Sequence, residues 1–430
     1  MADARERGQP PLSTESDKKG SAPLFSWWAE ATPEARRALV AASLGWMLDS
    51  FDVMLYALVL TSMMGDLGMA KGTAGLLGSL TLVASAAGGV VFGVVADRLG
   101  RTRALMASIL IYSVFTAACG LAQSVLQLAV FRVLLGLGMG GEWASGAALV
   151  SETWPAKHRG KALGLMQSSW AIGYGLAAVV NMAVLPRFGW RAVFFVGVLP
   201  ALFTLWIRRS VREPEIWGRA RVEVPAPAGG LGSIFGPALR RLTLAVTLMN
   251  ACTMFAWWGF NLWIPAYLSL PAEKGGMGLT AATMSWFVVV MQAGMWLGYV
   301  TFGFISDALG RKRTYVVYLL AAAGLVLAYA NTGRAAALLA LGPLVAFFGT
   351  GYFSGFGAVT AEIYPTRIRA TAQGLTYNIG RVASAVAPFV VGSLADTRGF
   401  AAALSTTSVS FLLAALVWAW IPETRGRELA

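Results

Sequence analysis

The stretch "GVVADRLGRTR", residues 93–103, recurs 210 residues later as "GFISDALGRKR", residues 303–313. The same offset relates Glu152, Pro155, Arg159 and Gly164 of "ETWPAKHRGKALG" to Glu362, Pro365, Arg369 and Gly374 of "EIYPTRIRATAQG". Two separate loops that share one offset point to a duplicated unit. What that unit is follows from the segments on either side of each loop.

Those segments are apolar. Of the 430 residues, 57% are hydrophobic and 13% are charged, about half the charged share of a soluble protein. Twelve apolar spans fall at 39–63, 73–96, 104–122, 126–150, 162–185, 190–207, 242–268, 280–305, 315–329, 335–360, 371–394 and 401–421. Such runs suit helices that cross a hydrocarbon core of about 30 Å. They are continuous rather than alternating, which excludes a transmembrane β-barrel. Span 1 is expected to begin earlier, at "ATPEARRAL", with Thr32 as cap, Pro33 in the first helical position and Glu34 at the positive end of the dipole.

The reading is an all-α membrane protein of two six-helix bundles. Six spans per unit, an even number, leave both bundles facing the same way, with their pseudo-two-fold axis along the membrane normal. The expected divisions are an N-terminal tail at 1–38, a first bundle at 39–207, a linker at 208–241, a second bundle at 242–421 and a C-terminal tail at 422–430. The linker carries seven arginines and the Pro/Gly-rich "VPAPAGGLG".

Lysine and arginine set the orientation. The two tails and the loops after the even-numbered spans hold 26 of the 34, the opposite loops hold six, and Arg132 and Arg381 lie within spans. By the positive-inside rule both termini are cytoplasmic. The net charge of +13 then points to acidic lipid headgroups rather than nucleic acid. No cleavable signal peptide is expected, and the chain is taken as a monomer in a bacterial inner membrane. Cys119 and Cys252 lie in apolar runs and form no spaced metal motif. His158, the single histidine, sits between Lys157 and Arg159 and reads as part of a solvated basic cluster. The string "GLGMGG", 136–141, matches a dinucleotide fingerprint, but that motif needs a preceding strand and a soluble βαβ unit. In mid-membrane it reads as a seam for close helix packing.

Charge inside a span is costly and marks function. Asp49 and Asp52 lie near the middle of span 1, at i, i+3 on one face. Two carboxylates this close in low dielectric cannot both ionise cheaply, which is the requirement for a group that loads and releases a proton. Arg381, near the middle of span 11, keeps its charge and so needs an anion, either an acid of span 1 or the carboxylate of a substrate. Tyr377 and Asn378 stand about one turn before it. Glu142, in span 4, is a further candidate cavity acid. Gln167 and Tyr174 share a stripe of span 5 with Trp170 and Asn181; Asn261 lies in span 7 with Trp257 and Trp258; Gln292 lies in span 8 with Trp296 and Tyr299. Polar tips with aromatics at mid-depth suit a small amphipathic substrate. No catalytic constellation is present, so an enzyme is not expected.

The repeated G-x-x-x-D-R-x-G-R loop resembles the signature of the major facilitator superfamily, and the resemblance covers essentially the whole chain. The second copy departs from it, with Ala308 where the first has Arg98. The resemblance implies a secondary transporter that works by alternating access to one site between the halves. It implies that Asp97 and Arg101, Asp307 and Arg311 serve as cytoplasmic latches. Glu152 with Arg159, and Glu362 with Arg369, resemble a second latch network. Arg132 followed by G-x-G-x-G also resembles a superfamily motif, and it implies a proton-coupling role with an acid of span 1 as partner. "LDSFD" in span 1 and "YNIGR" in span 11 are most similar to the sialate, monocarboxylate and aromatic-acid proton symporters. The expected function is therefore proton-coupled symport of a small organic anion, with the proton as coupling ion and no other cofactor. Alternatives are a sugar or polyol symporter and, behind it, a drug–proton antiporter.

Under the 210-residue offset, Asp49 and Asp52 correspond to Gly259 and Leu262, and Arg381 to Ala171. The mid-membrane charges are not part of the duplicated scaffold.

Overall fold

The computed structural model describes residues 26–211, 234–237, 239–364 and 369–425; most of the expected linker lies outside them. The described chain is almost entirely helical, and ten of its helices are long and apolar enough to cross a membrane. Two of these run for 48 and 46 residues, more than twice the roughly 20 residues one crossing needs. Each holds two spans that meet at a glycine with positive φ, Gly189 (φ 75°) and Gly399 (φ 80°). The protein is therefore a twelve-span, multi-pass membrane protein.

Those two glycines are 210 residues apart, and the offset holds for the other turns. Gly68 (φ 63°) pairs with Gly278 (φ 66°), and Gly100 (φ 115°) with Gly310 (φ 98°). A left-handed residue is cheap only for glycine, so the positions where the chain reverses are kept in both copies. The packing repeats as well. A Cβ at Gly88 of span 2 would strike the Leu137 carbonyl of span 4, and a Cβ at Gly298 of span 8 would lie 2.5 Å from the Phe347 carbonyl of span 10. Lipid offers no hydrophobic gain for helix association, so small residues that admit a neighbouring backbone carry it. The "GLGMGG" string does this in span 4. Gly136 faces the Thr81 carbonyl, Gly140 the Ser85 carbonyl, and Gly138 the backbone of Tyr112.

Span 1 is the helix Pro33–Leu67, with Thr32 Oγ1 accepting from Ala35 N–H at 3.1 Å and Gly68 closing its end. Spans 10 and 11 are each broken. Span 10 is Ala335–Thr350 followed by Phe353–Ile363, and span 11 is Arg369–Ser384 followed by a helix from Ala387. The matching parts of spans 4 and 5 run without a break.

Among the described residues the halves meet chiefly through three pairs of spans. Span 2 lies on span 11, where a Cβ at Gly75 would strike the Pro388 carbonyl. Span 5 lies on span 8, where Asn181 donates to Ser285 Oγ at 3.0 Å. Span 1 meets span 7, where the Thr61 and Ser269 hydroxyls are 2.8 Å apart. At that end Lys71 also reaches Asp396 (3.8 Å) and the Lys274 carbonyl (3.2 Å).

At the opposite, arginine-rich end the described ion pairs stay within one half. Arg101 pairs with Glu152 at 3.0 Å and, 210 residues on, Arg311 with Glu362 at 3.2 Å. Asp307, expected as a latch through a facing helix N-terminus or an arginine of the other half, pairs here with Arg311 one turn on at 2.6 Å, with its side chain 67% exposed. The side chains of Asp97, Arg159 and Arg369 lie outside what is described.

His158 differs from its expectation as a solvated residue. It is buried, and its Nε2 sits 2.8 Å from Glu30 Oε2. A helical turn, Ser26–Ala29, packs Trp27 against Trp154 beside it, with ring centroids 5.2 Å apart. The sequence around His158 is basic, but the segment that covers it is remote in the chain.

Candidate functional site

The first helix of span 11 stops at Ser384, which leaves Arg381 in its last turn. The negative end of the helix dipole there favours a cation. Ser384 Oγ donates back to the Arg381 carbonyl at 2.8 Å and satisfies one of the backbone groups freed by the break. Gly380 admits span 7 so closely that Asn250 Nδ2 reaches the Thr376 and Tyr377 carbonyls, both at 3.3 Å. The turn carrying Tyr377 and Arg381 is thereby fixed. The Arg381 guanidinium forms no ion pair among the described residues, and it is 4% exposed.

Opposite stands span 1. Ser50 Oγ donates to the Trp170 carbonyl at 2.7 Å, and Gly173 abuts the Met47 carbonyl, so spans 1 and 5 are locked together. This brings Trp46 onto Trp170, with ring centroids 4.6 Å apart. Trp170 in turn meets Trp257 (5.9 Å, 75°) and Trp258 (6.3 Å, 87°) of span 7 across the seam between the halves.

The four tryptophans line a cavity together with Arg381 and Tyr377. Gln167, Tyr299, Met254 and Phe353 complete it. Of the residues expected to bind substrate, Arg381, Tyr377 and Gln167 line this cavity. Tyr174 and Asn261 form part of the seam instead, the Tyr174 hydroxyl donating to the Asn261 carbonyl at 3.4 Å. Gln292 is buried beside Gly175 of span 5, and neither of its amide atoms has a hydrogen-bond partner. Asn378 donates to the Gly374 carbonyl at 3.0 Å and faces Gly89 of span 2.

The sequence reading passed over Trp46, Met254 and Phe353. Trp46 carried a usable signal: it is three residues before Asp49, on the same helix face.

The acids divide between two places. Asp49 lies within electrostatic reach of Arg381, and so does Glu142. Glu142 is fully buried with no hydrogen bond to either oxygen. It sits against span 1 one turn before Asp49, where a Cβ at Gly45 would lie 2.5 Å from its Oε1. Asp49, Glu142 and Arg381 thus form one cluster across the two halves.

Asp52 turns away from it toward spans 3 and 6. A Cβ at Gly197 would lie 2.9 Å from Asp52 Oδ1 and would strike Thr116. Arg132, for which an acid of span 1 was the expected partner, instead covers the ring of Tyr56 in span 1, 3.9 Å from its centroid. Its Nε and Nη1 have no hydrogen bond. Asp52 and Arg132 both lie within electrostatic reach of Cys119. They belong to a second polar cluster inside the first half.

Curated relatives and solved structures match along nearly the whole chain. A probable 4-methylmuconolactone transporter of Cupriavidus pinatubonensis is 34% identical over 94% of this chain and 94% of its own. A sialic acid transporter of Escherichia coli is 31% identical over 92% of this chain and 97% of its own. The crystal structure of a D-xylose–proton symporter shares the fold, with a TM-score of 0.73 at 19% identity over 92% of this chain and 100% of that one. The family model of the Major Facilitator Superfamily matches residues 42–272 and 268–429. The chain belongs to the major facilitator superfamily and is a transporter, not an enzyme.

Proposed function

We propose that the protein is a proton-coupled symporter of a small organic anion, with both termini in the cytoplasm of a bacterium. The observation that carries this reading is Arg381 in the lining of the cavity, with the buried acids Asp49 and Glu142 within electrostatic reach of it. A guanidinium buried without an ion pair is the natural counter-ion of a substrate carboxylate. Relatives named for sialic acid, cis,cis-muconate and gentisate transport carry organic acids, in agreement with it.

The charge count supplies the coupling. Among the described residues, the buried charged side chains within the spans are Asp49, Asp52, Glu142, Arg132 and Arg381. Three acids face two guanidiniums. A surplus ion in low dielectric costs several kcal/mol, so the empty site holds one acid as its neutral form. A substrate monocarboxylate adds a fourth acid and requires one further proton. One anion and one proton then cross together without net charge. Glu142 and Asp49 are the groups that face Arg381, and Glu142 joins the acids of span 1 as a carrier of that proton.

Proteoliposomes test this directly. An inward proton gradient is expected to drive accumulation of a carboxylate substrate, and an imposed membrane potential to leave the rate unchanged. Asp49→Asn and Glu142→Gln should each keep substrate exchange, and at least one should lose accumulation against the gradient. If both variants still accumulate substrate, the coupling assignment is wrong.

A further inference from the structure

Span 2 begins poorly for a helix. Its first residue is Lys71, its first turn holds no acid, and Ala70 at the cap position offers no side-chain acceptor. A lysine there has the wrong sign for the positive end of the dipole. The copy 210 residues on has what span 2 lacks: Thr280 caps span 8, its Oγ1 accepting from the Thr283 N–H at 3.2 Å. Spans 1 and 4 are capped in the same way by Thr32 and Ser124.

The missing cap comes from the other half. Asp396, at the end of span 11, accepts from the Gly72 N–H at 2.9 Å through Oδ2, and its Oδ1 is 3.8 Å from Lys71 Nζ. Lys71 Nζ also donates to the Ala395 carbonyl at 3.3 Å and the Lys274 carbonyl at 3.2 Å, and it lies 5.1 Å from the centre of the Phe400 ring. All of these partners belong to the second half. Close packing seats the two ends on each other: a Cβ at Gly392 would lie 2.6 Å from the Lys71 carbonyl. The counterpart of Asp396 in the first half is Pro186, so the first half returns no such cap to the second.

The first N–H groups of a helix need acceptors from outside it. Asp396 supplies one only while this end of the seam is closed. When the halves rock apart here, the Gly72 N–H loses its acceptor and Lys71 faces the dipole without a counter-charge. The closed form is favoured over the open one by what the cap is worth. A cap made within one half has no such effect, because it is present equally in both forms.

We propose that Asp396 is the latch at this end of the transporter: a helix cap supplied by the second half to span 2 of the first, made when the end closes and broken when it opens. Asp396 is a positioning residue of the transport cycle. It is not in the lining of the cavity, and it acts on the balance of the two forms whatever the cavity carries.

The test uses the full chain in nanodiscs, with Cys119 and Cys252 replaced and Ser285→Cys as reporter. Ser285 is fully buried between spans 5 and 8, on a different seam from Asp396. Its alkylation by a water-soluble maleimide therefore reads the parting of the halves and not the fraying of span 2. Asp396→Ala is expected to speed alkylation roughly three- to tenfold, the change that loss of a typical helix cap brings. Ala70→Ser gives span 2 a cap of its own in both forms. It should also speed alkylation, with Asp396 intact, without lowering the melting temperature. In the Ala70→Ser background, Asp396→Ala should add less than it does alone.

Ala70→Ser separates a latch from a merely structural cap. If Asp396 only held the fold together, a second cap would raise stability and leave alkylation unchanged or slower. This variant also decides the matter if Asp396→Ala does not fold. Unchanged alkylation in Asp396→Ala, or unchanged or slower alkylation in Ala70→Ser, overturns the proposal.

Discussion

Arg381 is held where an arginine is expensive. It is 4% exposed, at mid-span, in the last turn of a helix that stops three residues later. Its fork geometry should matter more than its charge. Arg381→Lys keeps the charge and loses the bidentate match to a carboxylate, so carboxylate affinity is expected to fall roughly ten- to a hundredfold. Binding of a labelled carboxylate to the purified variant measures it, and unchanged affinity would move the anion site elsewhere.

Arg381 and Tyr377 were legible in the sequence because a charge in an apolar run stands out, and Gln167 because polar tips recur along its stripe. Met254 and Phe353 were not, because apolar side chains in an apolar helix give no contrast; Trp46 was marked only by its place one turn before Asp49. Their role depends on which way the helix faces. Glu142 was legible as a charge, but its approach to Arg381 was not, since that depends on how the two halves sit together. His158 was misread because the residue that buries its surroundings and the acid that binds it precede it by more than a hundred positions.

Among the elements, the helix starting at Arg311 is capped from far along the chain. Glu423 accepts from the backbone N–H of Arg311 at 2.8 Å and of Lys312 at 3.1 Å, and Thr424 Oγ1 donates to Glu362 at 2.6 Å. A carboxylate at a helix N-terminus is favoured by the unpaired N–H groups and by the dipole. Burial opposes ionisation of Glu423, but the backbone donors of Arg425, Arg311, Lys312 and Thr424 outweigh it and hold its carboxyl below the ordinary 4.5.

A depressed folded value means that this contribution to stability is present above 4.5 and is lost as the pH falls through the lowered value. Glu423→Gln is therefore expected to lower the melting temperature near neutral pH, with the difference from the parent protein shrinking as the pH falls below 4.5. A difference that does not change with pH would mean that the cap works without its charge. The break in span 11 is marked in the sequence by Pro388, in the first turn of the helix that follows it, whereas no proline stands beside the break at 351–352 in span 10. The turns are marked as well, because the glycines that permit them recur at the same offset as the loop motif.

For the whole molecule, the described cross-half bonds gather at the end marked by Thr61, Ser269, Lys71 and Asp396, while the ion pairs at the other end bind each half to itself. Alternating access requires the first set to part. With Cys119 and Cys252 replaced, Thr61→Cys and Ser269→Cys together should form a disulfide that stops transport and releases it on reduction. Their hydroxyls are 2.8 Å apart, so the sulfurs start within reach. A cross-linked protein that turns over at the parent rate would show that this end does not open. Twelve spans and the two-bundle plan were legible from hydropathy and repetition alone. The faces that form the cavity were not, because they depend on how two copies of one scaffold lean together.

The indole walls also give the protein an optical signature of its own. Trp46 and Trp170 lie 4.6 Å apart at 50°, and Trp257 and Trp258 5.0 Å apart at 62°. At such separations their ultraviolet transitions couple, and the coupling depends on distance and angle. Trp170 exchanges excitation with one partner in its own half and with two in the other, so rocking the halves rewrites the chiral spectrum of the cavity. Conformation becomes readable in circular dichroism without a label.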